Sequence, residues 1–392
     1  MRRLQRRTFI TAVTTSLAAT RIGGHAYAAA PPPAGGAAAH GKGYEVVARF
    51  WGAIPTGVTV SRRGRTFVNF PRWGDDVPFT VAELRGGRPV AYPDAEVNRE
   101  DASDPAGHFQ SVQSVVVDPA DRLWILDTGR PLSVPSSYGG PKLVAVDLRT
   151  DRIIRKILFP PEVVLPGSFP NDVRFDLRRG AEGMAFITDS DAPNGIIVVD
   201  LATGRSWRRL ANHPSVLPDK KFLPVIEGEP LMVRPPDGEP AYYEVGSDGI
   251  AIGADGERLY YCPLSGRRLH SVSVDALADP DASDAEVART VEDLGYQPMA
   301  DGLESDDKGR VYGGALEHNA IWRRNPDGTY DTLAHGPDLV WADTLCVASD
   351  RHLYATVNQL NRHGDFHEGR DLRRRPYLLV RLPIDAGPVR LR

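Results

Sequence analysis

The chain has 392 residues, 41% hydrophobic and 25% charged, with a formal net charge of −4. That length suits two ordinary domains or one large one, and the composition suits a globular core. No apolar run attains the ~20 residues needed to span a bilayer, and the charge leaves no basic footprint for nucleic acid. The partner class left open is a small molecule, met by a chain read as a monomer.

Residues 1–28 form a segment of their own. Arg6 and Arg7 precede "TFI", a short apolar stretch follows, and "AYA" at 26–28 supplies small residues for cleavage. The order resembles a twin-arginine export signal, which places the mature protein in the periplasm or outside the cell. Its removal takes five arginines and no acids. Residues 29–43, "AAPPPAGGAAAHGKG", read as a low-complexity tether. Cys262 and Cys346 are the two cysteines. Export permits a disulfide between them, but two small core residues is the simpler reading.

From residue 44 the chain repeats. "TGVTVSRRGRTFVNF" opens at Thr56, "QSVVVDPADRLWILD" at Gln113 and "NDVRFDLRRGAEGMAFITD" at Asn171. "DGIAIGADGERLYYC" opens at Asp248, "DGLESDDKGRVYGG" at Asp301 and "DTLCVASDRHLYAT" at Asp343. Each copy is an alternating hairpin followed by a second strand pair, such as "GIIVVDLATGRSWRRL". Six units of four strands predict an all-β domain over 44–392, a six-bladed β-propeller. The last unit is a strand short, and "YEVVARFW" (44–51) is placed to complete it and close the ring. Asp306 and Asp307 look at first like part of a calcium loop. They lack the alternation of an EF-hand and fall in a hairpin turn, where they are expected to face solvent.

In such a fold the residues opening the innermost strands ring one mouth of the central channel. They are Thr56, Gln113, Asn171, Asp248, Asp301 and Asp343, all polar. Asp and Asn cap turns anywhere, but six polar residues in register, three of them aspartates, also make a ligand-binding ring. Converging carboxylates raise one another's pKa unless a positive charge joins them. Asn171, Asp248 and Asp301 are the set suited to Ca2+ or another divalent cation. A cationic ligand would instead use the aspartates directly, with aromatics such as Trp73, Phe109 or Tyr296.

Other charged clusters read as scaffold. His363, Asp365, His367 and Glu368 lie among glycines in a loop at the channel mouth. Glu317 and His318 suit a solvated loop, Asp189 and Asp191 a turn, and Asp127 with Arg130 an internal salt bridge. There is no GxSxG elbow, HExxH or P-loop.

The stretches "SVQSVVVDPADRLWILDTG", "FPNDVRFD", "AFITDSDAPNGIIVVDLATGRSWR", "LYYCPLSGRRL" and "VWADTLCVASDRHLYATVNQLNR" together resemble the major royal jelly and Yellow protein family, from about Phe50 to Pro383. The resemblance implies a six-bladed propeller, secretion, and either a small ligand such as a biogenic amine in the channel or a dopachrome-converting activity. More distantly, the chain is similar to gluconolactonase and regucalcin-type propellers, which hold a divalent metal with a Glu, two Asn and an Asp. Here Thr56 stands where those proteins place the Glu, and Gln113 where they place an Asn. Two function classes follow: a small-molecule binder, or an enzyme. The enzyme would be a metal-assisted lactone or ester hydrolase, or an isomerase of a catechol-derived quinone of the dopachrome type.

Overall fold

The repeated hairpin is held by a buried charge in its turn. In the second copy the Asp118 carboxylate accepts from Arg122 Nε at 2.7 Å and from the Trp124 indole N–H at 2.8 Å. In the fifth, Asp306 accepts from Arg310 Nε at 2.5 Å and from the Tyr312 hydroxyl at 2.6 Å. Both carboxylates also take the backbone N–H groups two and four residues on. The spacing Asp, Arg at i+4 and an aromatic donor at i+6 thus makes one turn in two blades.

The computed structural model describes residues 43–131 and 134–392. The export signal and all but the last residue of the tether lie outside the described residues. Six antiparallel four-stranded sheets form the described chain. Blade 1 starts at Val58–Val60, blade 2 at Val112–Val117, blade 3 at Pro170–Asp176, blade 4 at Ser247–Ile252, blade 5 at Leu303–Ser305 and blade 6 at Ala342–Val347. These first strands neighbour one another in a closed ring, blade 6 beside blade 1. The domain is a six-bladed β-propeller, as the repeats predict.

Closure follows the expectation as well. Glu45–Phe50 is the outer strand of blade 6, pairing antiparallel with Tyr377–Pro383 from Glu45 opposite Arg381 to Phe50 opposite Tyr377. The first strand of the domain thus covers the edge of its last sheet. The long segment between blades 3 and 4 was unassigned by the sequence pattern. It carries two two-residue ribbons, Val225–Ile226 with Glu229–Pro230 and Met232–Val233 with Ala241–Tyr242.

Apolar side chains fill the spaces between blades. Trp124, Leu143 and Ile157 of blade 2 pack with Phe175, Ile187 and Ile197 of blade 3. Burial of each such side chain is worth roughly 1.5–3 kcal/mol. Cys262 and Cys346 are buried free thiols in two different clusters, as the core reading expects.

The turn expectation needs a correction. Asp306 does not face solvent. It is fully buried under Arg310 and Tyr312, because a carboxylate that accepts four protein hydrogen bonds is better satisfied there than by water. Asp307 is exposed and meets the Gly387 N–H at 3.1 Å. Asp306→Ala leaves Arg310 and Tyr312 without their buried acceptor, so it is expected to cost about 3–5 kcal/mol. Asp307→Ala is expected to change stability by about 0.5 kcal/mol or less. Urea unfolding of the two variants at a common m-value measures the contrast.

Candidate functional site

The six strand-opening residues are all at least nine-tenths buried. In blades 2, 3, 4 and 6 the first two strands slip register across this residue, between Val112 and Ser114, Pro170 and Val173, Ser247 and Ile250, and Ala342 and Leu345. Such bulges re-aim side chains, and here they fall at Gln113, Asn171, Asp248 and Asp343. In blades 1 and 5 the equivalent residues, Thr56 and Asp301, lie just ahead of the strand. The glycine after Asp248 or Asp301 has a steric cause. A Cβ on Gly249 would lie 2.4 Å from the Asp301 carbonyl oxygen, and one on Gly302 2.6 Å from that of Asp343.

Four of the six come together. Asn171 Nδ2 donates to Asp248 Oδ1 at 2.5 Å. Asp248 and Asp301 lie close enough to perturb each other's ionisation. Trp341 Nε1 donates to Asp301 Oδ2 at 2.6 Å, and Asn358 Nδ2 to Asp343 Oδ2 at 2.6 Å. Trp341 is fully buried at φ 61°, a strained backbone for a bulky residue that directs its indole onto the carboxylate. Burial pushes the Asp248 carboxyl well above the usual carboxylate range, and the Asp301 charge adds to this. Burial and Asp301 do the same to Asp343. Burial also raises Asp301, against the opposing effects of Asp248 and of the Trp341 bond.

Thr56 and Gln113 sit differently. Thr56 Oγ1 donates to the Gln113 carbonyl at 3.2 Å and accepts from Asn69 Nδ2 at 2.7 Å, so it ties blade 1 to blade 2. Gln113 Oε1 is buried without a hydrogen-bond partner.

Behind the aspartates the channel holds a charge group that the repeat alignment passed over. Arg174 Nη1 donates to Asp172 Oδ2 at 2.9 Å, and its Nη2 to the Leu303 carbonyl at 2.5 Å. Glu304 Oε1 lies 3.8 Å from Arg174 Nε. Strand alternation puts Asp172, Arg174 and Glu304 near the openers in sequence, and that proximity was the available signal.

The aromatic wall is also not the expected one. Phe109 is fully buried in the core beside blades 1 and 2, Tyr296 is exposed on the outer strand of blade 4, and Trp73 packs near Phe169. Tyr243 takes their place. Burial first, and then the charges of Asp301, Asp248 and Asp343, push its phenol well above its ordinary range. Its ring meets Phe366 edge-on, with centroids 5.1 Å apart.

Phe366 lies in the histidine-bearing loop, which does reach the mouth. The loop joins the inserted ribbons through Arg234 N–H to the Asp365 carbonyl at 2.7 Å and through the Arg362–Glu227 ion pair. His363 pairs with Asp365, and His367 Nε2 meets the Asn361 carbonyl at 2.9 Å.

Three scaffold readings are revised. Asp127 pairs with buried Lys142 at 2.8 Å rather than with Arg130, which reaches Asp191 at 3.0 Å. Asp189 is more than a turn residue, being buried against Arg208 at 2.7 Å. Glu317 is not in a solvated loop: it holds Arg267 and the Val225 N–H.

The domain is a six-bladed propeller with acids gathered at one end of its channel. Residues 110–369 match the profile of the major royal jelly protein family. The chain belongs to that family. It is 28% identical to protein yellow of Drosophila erecta and of Drosophila melanogaster over 244 residues, 58% of this chain and 42% of each relative. The matched region thus spans about two fifths of those proteins.

Solved structures share the fold. A luciferin-regenerating enzyme superposes with a TM-score of 0.55 at 11% identity, covering 89% of this chain and 97% of its own. Regucalcin of Agrobacterium tumefaciens, described as a calcium-binding protein, gives 0.53 at 15%, covering 88% and 95%. A gluconolactonase of Xanthomonas campestris gives 0.51 at 13%, covering 87% and 88%.

The raised carboxyls set the sign of a pH effect. Between the ordinary aspartate value of about 4 and the raised values, the native state binds more protons than the unfolded state. Stability of the metal-free protein therefore falls as pH rises through that window. Asp248→Asn removes one of the converging charges. Its melting temperature is expected to exceed that of the parent at pH 8, with the gap closing toward pH 4. Thermal melts across pH in the presence of a chelator measure this, and a pH-independent gap would make Asp248 scaffold.

Proposed function

We propose that the protein is an exported propeller that holds a divalent cation, Ca2+ or a similar ion, at the channel mouth and binds a small molecule there, with lactone or ester hydrolysis as its activity. The observation that carries the reading is the buried convergence of Asp248, Asp301 and Asp343 beside Asn171. Neutral donors meet these carboxylates, and among the described residues nothing cationic is hydrogen-bonded to them.

The residue types fit an oxygen-seeking cation. Among the described residues no three His, Cys, Asp or Glu side chains form a metal-holding cluster, so amide oxygens and water would complete the shell, as calcium accepts. Asn171 presents its oxygen once its amide is turned, an orientation that hydrogen bonding alone sets. Gln113 Oε1 has no partner to give up. A bound cation would polarise a substrate carbonyl and the water that attacks it. The chain's own residues position and desolvate: Trp341 and Asn358 fix Asp301 and Asp343, while Tyr243 and Phe366 narrow access.

Calcium is expected to raise the melting temperature at pH 7.5, to lose most of that effect in Asp301→Asn and to keep it in Asp307→Asn. Hydrolysis of γ- and δ-lactones should need the ion. No calcium shift, or equal loss in the two variants, removes the metal reading.

Tyr243 above three carboxylates favours a second reading, a binder or quinone isomerase acting on amines and catechols. A shift with tyramine or dopamine that survives chelation would select it. Export predicts that the protein purified from its native host lacks residues 1–28 by intact mass. A retained Met1 removes that part.

A further inference from the structure

The channel has a second end, and it is built differently. A half-open cavity of about 90 Å3 lies there, lined by residues from all six blades, and so sits on the propeller axis. A cavity of that size has room for several waters or for one small ion.

Its charge is predominantly positive. Arg62, Arg174 and Arg390 line it, together with the carboxyls of Asp118 and Glu304. Asp118 is already neutralised by Arg122. The Arg174 side chain is 6% exposed. Its Nη atoms are committed to Asp172, Val173 and Leu303, but its Nε is buried without a hydrogen-bond partner. Arg62 bonds the Pro119 carbonyl, and Arg390 Nη2 bonds Ser349 Oγ at 2.9 Å. Each leaves further N–H groups for a ligand. Burial pushes the Glu304 carboxyl up, against the pull of Arg174, with Asp172 and Asp306 adding to the rise.

The last residues of the chain wall this cavity. Gly387 N–H donates to Asp307 Oδ1 at 3.1 Å, Pro388 bridges to Asp306, and the Leu391 carbonyl accepts from Leu177 N–H at 2.9 Å. The segment runs from the turn of blade 5 to blade 3 and contributes Pro388, Val389 and Arg390 to the lining.

We propose that this end of the channel is a binding site for a small monovalent anion, a carboxylate or halide, held by buried Arg174 with the exposed Arg62 and Arg390 at its opening and walled on one side by the C-terminal strap. The site is independent of the cation site at the other mouth. An anion there engages blades 1 and 3 and the strap at once, so binding would stabilise the assembled ring over the unfolded chain by mass action.

The test uses the purified protein, freed of divalent cations, with sodium acetate and sodium bromide titrated at constant ionic strength against a bulky sulfonate salt. A saturable rise in melting temperature is expected, with half-saturation about tenfold weaker in Arg390→Gln and no rise in Arg174→Gln. Crystals soaked in bromide should show an anomalous peak at Arg174 Nε. Acetate without bromide would assign the site to carboxylates, and the reverse to halides. A rise that never saturates, an unchanged response in Arg390→Gln, or a cavity holding only water overturns the proposal. If Arg174→Gln does not fold, the Arg390→Gln titration and the bromide map decide.

Discussion

Six backbone strands share one axis at a spacing that excludes even a methyl group beside two of them, and the rest of the molecule follows from that crowding. Gly249 and Gly302 exist because the next blade's carbonyl passes where a Cβ would be. Polar backbone packed so tightly away from water must find partners. Side chains near the axis supply some of them between blades, Ser305 bonding the Ile252 carbonyl and Thr356 the Thr56 carbonyl, while Ser114 to Asp172 and Asn171 to Asp248 join blades side chain to side chain. The ring of polar residues is first a device for closing the propeller. Its chemistry is what remains once that requirement is met.

What remains is unevenly shared. Blades 1 and 2 spend Thr56 on inter-blade bonds, whereas blades 4, 5 and 6 contribute three carboxylates to one end. Burial holds all three above their ordinary range. Arg174 lies deeper, bound to Asp172 and close to Glu304. The channel thereby carries acids at one end and guanidinium groups at the other. Small charged partners of opposite sign suit the two ends, and neither needs the propeller to move.

The periphery shows the same economy of means. Asp118 and Asp306 lock their hairpins with one carboxylate, one arginine and one aromatic donor each. Glu227, Arg234, Arg362 and Glu317 tie the inserted ribbons and the histidine-bearing loop over the mouth. These ion pairs are partly exposed, and pairs of that kind contribute modestly each. Their effect is to place Tyr243 and Phe366 against each other above the aspartates.

The sequence by itself determined the number of blades, the closing strand and the six polar positions that open the inner strands, because alternation and repeat are local and each copy carries its own strand and turn signals. It did not determine the partners of Arg130 or Glu317, nor that Tyr243 rather than Phe109 or Tyr296 stands near the aspartates. Those depend on which blades and loops become neighbours across tens of residues. A carboxylate reads the same whether it will face water or a buried arginine. Only the assembled ring brings Trp341 to Asp301 and Arg390 to the cavity beside Arg174. The tertiary structure decided these because burial and charge pairing are properties of the assembled axis, not of any one strand.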